Sequence, residues 1–153
     1  MARRIFISFQ HDDRMKAKGF NLLRWNRNVT TEFVGRHLLD PVDSSDPSYI
    51  TRKIREQQKG TSVTVVLIGD KTYQSDWVEK EVGMSLDKKP PNGIVGIRLK
   101  DGVRIPDSLR DCGAEVIDWN PDEFEAAFDR AAAAAGRALV AASGPGGGAS
   151  CAR

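Results

Sequence analysis

Ser62-Val63-Thr64-Val65-Val66-Leu67-Ile68 is the stretch that decides the fold. A strand with one face in water alternates apolar and polar residues, whereas a strand covered on both faces reads as a continuous apolar run. This run is apolar on both faces and ends at Gly69, so it predicts a central strand of a parallel sheet. Just upstream, Asp46-Pro47 suits an N-cap followed by proline in the first helical turn, and the helix runs to about Lys59 and stops at Gly60. Further upstream, Thr31 to Leu39 is a more polar strand and Met15 to Asn28 a helix with Phe20, Leu23 and Trp25 on its inner side. Arg4 to Phe9 is a buried strand that runs out into the polar Gln10-His11-Asp12-Asp13. Downstream, Ser75 caps a helix to about Lys88, and Pro90-Pro91 bars its continuation. Ile94 to Leu99 and Glu115 to Asp118 are strands four and five. Asn120-Pro121-Asp122-Glu123 opens an Ala-rich helix that fades near Ala142.

Strands alternating with helices predict an α/β fold: a flavodoxin-like five-stranded parallel sheet, order 2-1-3-4-5, with helices on both faces. The domain spans residues 1–142. Residues 143–153, Gly-rich with nothing to bury, form a tail expected to be disordered. Ligands of such sheets bind beyond the carboxyl ends of the strands, at the switch point between strands 1 and 3. That places Ser8 to Asp13, Asp40 to Asp46 and Gly69 to Trp77 around one cleft.

Composition narrows the function classes. A chain of 153 residues with 40% apolar and 29% charged residues is one ordinary soluble domain that needs no metal or disulfide to fold. Two cysteines, Cys112 and Cys151, are too few for a disulfide framework; they fit a reducing compartment and read as incidental. With two histidines, zinc ligands are scarce and no metal site is expected. No apolar run spans a membrane and no signal peptide precedes the first strand, so the chain is expected in the cytoplasm. The formal charge is only +2, and the basic cluster Arg14, Lys16, Lys18, Arg24, Arg27 reads as a solvated helix face, so no nucleic-acid partner is expected.

The chain has no Walker A loop, no Gly-x-Gly-x-x-Gly after strand 1 and no nucleophile elbow. Asp12, Asp13, Asp70 and Lys100 resemble a phosphoacceptor set, but the acidic pair lies beyond the strand end and Lys100 follows strand 4, so helix capping is the better reading. The informative stretch is Tyr73-Gln74-Ser75-Asp76-Trp77-Val78-Glu79-Lys80-Glu81-Val82. At about 100° per residue, Val78, Val82, Ser85 and Leu86 form the inward stripe, with Glu79 and Glu81 on its opposite flanks. Trp77 and Glu81 share a face. Helix geometry alone does not choose between the two carboxylates.

Arg4-Ile5-Phe6-Ile7-Ser8-Phe9 resembles the first box of TIR domains, and Ser75-Asp76-Trp77-Val78-Glu79-Lys80-Glu81-Val82 resembles their Ser-x-Trp-Cys-x-x-Glu-Leu helix, with Val78 in place of Cys. Pro41 to Asp46, Tyr49 to Arg55 and Thr61 to Gly69 are similar to the bacterial TIR-like family that includes the TIR component of the Thoeris antiphage system. The similarity spans roughly residues 3–130. Leu39-Asp40-Pro41-Val42 departs from the usual loop box after strand 2. The resemblance implies a TIR-like enzyme that cleaves NAD⁺ at the nicotinamide–ribose bond and makes a cyclic ADP-ribose-type signal in antiphage defence. It implies Glu81 as the catalytic residue, with Ser8, Phe9, Asp43, Ser44 and Trp77 binding substrate. NAD⁺ is then a substrate, and no cofactor is needed. The implied partners are further copies of the chain in an active homo-oligomer, an effector reached through the nucleotide signal, and a phage-derived trigger. The alternative is a non-catalytic TIR-like module that binds nucleotide or protein partners.

Overall fold

The computed structural model of the chain describes residues 3–22, 33–36 and 46–136. Four strands form the body of a parallel sheet: β1 (Arg3–Phe9), β3 (Val63–Ile68), β4 (Gly93–Arg98) and β5 (Glu115–Asp118). A four-residue β2 (Phe33–Arg36) pairs with the outer side of β1, so the neighbours run β2-β1-β3-β4-β5. Among the described residues, five α-helices accompany the sheet: α1 (Arg14–Leu22), α2 (Pro47–Gln58), α3 (Asp76–Asp87), α4 (Asp107–Asp111) and α5 (Pro121–Ala134).

β3 is buried along its whole length, which the apolar run requires. Its side chains alternate between two layers. Val63, Val65 and Leu67 join Ile5, Ile7 and Phe9 of β1, Ala17 and Phe20 of α1, and Phe124, Ala127 and Phe128 of α5 in one core. Val66 and Ile68 face the other way, packing with Val78 and Val82 of α3 and Leu109 of α4. Helices therefore cover both faces, and the period of two sends Phe6 and Ser8 of β1 towards the layer that holds α3.

The caps follow the sequence signals. Asp46 accepts from Ser48 N–H and Ser75 accepts from Val78 N–H, while Asn120 accepts from Asp122 N–H, with proline in the first turn of α2 and α5. Each such cap satisfies an N–H that the helix itself leaves orphaned. α4 has no counterpart among the expected elements, which place no helix between strands four and five, and Pro106 at its start offers no side-chain cap. α5 ends at Ala134, not near Ala142, with Gly136 at φ +80° closing it; residues 137–153, the expected tail among them, lie outside the described residues, as does the second half of the expected first helix. Cys112, which read as incidental, is buried in the α3–α4 layer; Cys151 lies outside the described residues.

No helix among the described residues is long and apolar enough to cross a membrane.

Candidate active site

The α3 stripe is wider than apolar periodicity suggests. Val78, Glu81, Val82 and Ser85 are its buried residues, spaced i, i+3, i+4 and i+7. Glu81 thus occupies a core position and is 2% exposed, whereas Glu79 lies on the solvent side. The two carboxylates that helix geometry left equivalent are separated by the docking of α3.

Docking sets Glu81 over β1. Ser8 Oγ donates to Glu81 Oε1 at 2.7 Å. One helical turn later, Ser85 Oγ lies 2.6 Å from Thr64 Oγ1 on β3. Ser8 pairs in register with Val66, two residues beyond Thr64. Four helical residues rise about 6 Å and two strand residues about 6.6 Å, so Glu81 and Ser85 meet the sheet at matching heights. Trp77, one turn before Glu81, lies on the same side and lowers the carboxyl's pKa.

Burial dominates the electrostatics here. It pushes the Glu81 carboxyl up to about 8, against the lowering effect of the Ser8 hydroxyl and then of Trp77. Among the described residues no charged side chain contributes to that shift. A carboxyl out of water and without a cation prefers its neutral form, and hydrogen bonds to its oxygens recover part of the cost of ionising it.

The remaining sequence candidates fall as follows. Trp77 is half-buried beside Glu81. Phe9 is not brought to Glu81: as the neighbour of Ser8 in an alternating strand, it packs in the opposite layer under α1 and α5. Asp43 and Ser44 lie outside the described residues. The acidic residues at the carboxyl ends of the strands are engaged with lysines, Lys71 Nζ lying 3.1 Å from Asp12 and Lys100 Nζ 2.6 Å from Asp70. Asp13 sits against Gly69, where a Cβ would lie 2.4 Å from its carboxylate oxygen. Burial raises the Asp13 carboxyl most, followed by the neighbouring Asp12 and Asp70. Among the described residues no three His, Cys, Asp or Glu converge as a metal site.

A groove of about 940 Å³ lies elsewhere, between the C-terminal ends of α2 and α3, lined by Arg52, Arg55, Lys88 and Lys89 among others. Its wall residue Gln58 reaches the Glu81 segment, donating to Glu81 O. Chemistry and concavity therefore point to different places, and the buried carboxyl is the better guide because a charge-bearing group taken out of water needs a reason. Sequence reading passed over Gln58, Thr64 and Asn92, all buried. A signal existed for Gln58, which follows buried Ile54 by four residues and so lies on the inner face of α2.

Residues 6–103 match a family model described as "Thoeris protein ThsB, TIR-like domain". The chain is 33% identical over 105 residues, 65% of its length, to the "Putative cyclic ADP-D-ribose synthase ThsB1" of Bacillus cereus (strain MSX-D12). The match covers 53% of that protein, so the chain spans about half the length of the curated relative. Among solved structures, a 3-dehydroquinate dehydratase-like protein from Bifidobacterium longum aligns at a TM-score of 0.46 and 14% identity, over 87% of this chain and 97% of that one.

Proposed function

The chain belongs to the Thoeris ThsB TIR-like family, and on that premise we propose that it cleaves the nicotinamide–ribose bond of NAD⁺ and releases a cyclic ADP-ribose-type signal in antiphage defence. The supporting observation is the 2.7 Å hydrogen bond from Ser8 to Glu81, which joins the first sequence box to the helix box across 73 residues. The relative's name, a cyclic ADP-D-ribose synthase, agrees with this reading.

The chemistry suits so sparse a site. Nicotinamide leaves a cationic pyridinium as a neutral molecule, so departure needs no general acid. Positive charge then develops on the ribose, as in glycoside hydrolysis. Ionised Glu81 stabilises that oxocarbenium character in a setting where little water screens it. At rest, burial holds the carboxyl neutral up to about pH 8. The arriving pyridinium favours ionisation, because an opposite charge at short range lowers a carboxyl pKa. Ser8 holds the carboxyl, and the exposed part of the Trp77 ring beside it offers a stacking surface. Attack at ribose C1′ by water gives ADP-ribose and a proton. Attack by the substrate's own adenosine end gives a cyclic isomer, and the attacking group loses the proton.

Asp43 and Ser44 are retained as substrate contacts on the family resemblance. Completion of the site in a homo-oligomer, release by a phage-derived trigger and action through an effector belong to the same reading, as does a cytoplasmic location.

Incubation of concentrated protein with NAD⁺, followed by mass spectrometry of the nucleotides, tests the proposal. Nicotinamide together with a cyclic ADP-ribose isomer is expected; unaltered NAD⁺ in both purified form and infected-cell extract would refute it. One observation favours a second reading, a nucleotide-binding module without turnover: Glu81 is 2% exposed and sealed against Ser8. That reading predicts NAD⁺ binding without nicotinamide release.

A further inference from the structure

Five buried polar side chains close a ring beneath Glu81. Gln58, the last residue of α2, sends both hydrogens of its amide to α3: Nε2 donates to Glu81 O at 3.0 Å and to Ser85 Oγ at 2.9 Å. Ser85 Oγ spends its own hydrogen on Glu81 O at 2.9 Å, so the Thr64 hydroxyl is the donor in the 2.6 Å contact with it. Asn92 Nδ2 donates to Thr64 Oγ1 at 3.1 Å and to Thr61 Oγ1 at 2.9 Å. The Thr61 hydroxyl returns to the Gln58 carbonyl. Every hydroxyl and amide proton of the ring has one destination, and two of its bonds end on the main-chain carbonyl of Glu81.

Buried polar groups are normally paired, and in this ring Asn92 Oδ1 is left without a partner; such a network by itself says only that α2 and α3 pack together. The destination is what distinguishes this one. An interior helical carbonyl already accepts from the N–H four residues on. Here the Glu81 carbonyl takes two further donors, one from another helix. Gln58 is anchored at its own carbonyl by Thr61, so its side chain is a fixed strut between α2 and the turn that carries Glu81. A roll of α3 by about 10° moves an atom about 6 Å from the axis by about 1 Å, a misplacement that can cost roughly a hundredfold in rate.

We propose that Gln58 is a positioning residue of the active site: through its two bonds to α3 it fixes the roll of that helix and thereby the aim of the Glu81 carboxyl. This rests on the reading of Glu81 as the catalytic carboxylate. Ser85 is the second element of the same device, because its hydroxyl both receives the strut and back-bonds to Glu81.

The test is Gln58→Leu, which keeps size and removes both donors, in the full chain. The expected result is a kcat for NAD⁺ cleavage lower by about 10- to 100-fold with KM changed by less than about 3-fold. The Glu81 carboxyl, followed by carbon-13 NMR, should titrate lower than in the unaltered chain, because a loosened α3 admits water. Ser85→Ala should shift both readouts in the same direction, and Ser85→Thr, which retains the hydroxyl, should restore them; this pair carries the test if Gln58→Leu does not fold. Unchanged kcat and an unchanged Glu81 titration in Gln58→Leu would overturn the proposal. If the unaltered chain shows no NAD⁺ turnover, the functional reading fails while the titration still decides the role of Gln58.

Discussion

Ser8 on β1 and Glu81 on α3, 73 residues apart, share a hydrogen bond of 2.7 Å inside the layer between sheet and helix. The donor favours the ionised carboxyl while burial opposes it more strongly. Ser8→Ala removes the larger of the two lowering effects, so the Glu81 carboxyl should titrate higher still. The pH–rate profile of the variant should lie to the alkaline side of the unaltered chain, with activity at pH 7 reduced. An unshifted profile would mean that the hydroxyl does not govern the carboxyl.

The profile of the unaltered chain follows from the same group. Ionised Glu81 is the working form, and kcat/KM reports the free enzyme. It should therefore rise with pH and level off above about 8. The break in kcat should lie lower, because bound pyridinium favours the carboxylate. Initial rates across pH 5 to 10, at low and saturating NAD⁺, separate the two.

Glu81 also makes stability depend on pH. Its carboxyl titrates near 4.5 when unfolded and about 8 when folded. Between those values the folded chain holds a proton that the unfolded chain has lost, so stability falls as pH rises through that window. Glu81→Gln has no such proton. Its stability relative to the unaltered chain should climb from pH 4.5 to pH 8 and then level, by an amount of order a few kcal/mol, with its melting temperature rising accordingly. Melts at pH 5 and pH 9 suffice; a constant difference would mean that the carboxyl is not buried in solution.

Two glycines make opposite predictions. A Cβ on Gly93 would lie 2.1 Å from the Ala131 carbonyl oxygen, where β4 begins under α5. Gly93→Ala should cost at least about 1–3 kcal/mol and lower the melting temperature accordingly. A Cβ on Gly83, inside α3, meets nothing within 4 Å. Gly83→Ala should stabilise by about 0.5–1 kcal/mol, since glycine is a poor helix residue.

These sites differ in how far sequence exposes them. β3 and the N-caps of α2, α3 and α5 are legible because their signals are local: an unbroken apolar run, and Asp, Ser or Asn one residue before the helix. α4 is not, being five residues long with no side-chain cap. The parallel α/β body with helices on both sides follows from the alternation of elements. The site was legible in part. Glu81 and Ser8 were singled out by family motifs, but helix geometry left Glu79 open because glutamate is rarely a core residue; only the packing of α3 on the sheet separates them. Phe9 adjoins Ser8 in sequence but packs in the opposite layer, because adjacent strand residues face opposite ways. The Gln58 ring joins α2, β3, α3 and the approach to β4 through single contacts, which no local pattern announces.

Nicotinamide release from NAD⁺ by the unaltered chain, Glu81→Gln and Glu79→Gln at high protein concentration tests the central claim most directly. The account predicts robust release by the unaltered chain, release within about twofold of it by Glu79→Gln, and a loss of at least about a thousandfold in Glu81→Gln with the fold intact. A Glu81→Gln chain that cleaves NAD⁺ as fast as the unaltered one would contradict it.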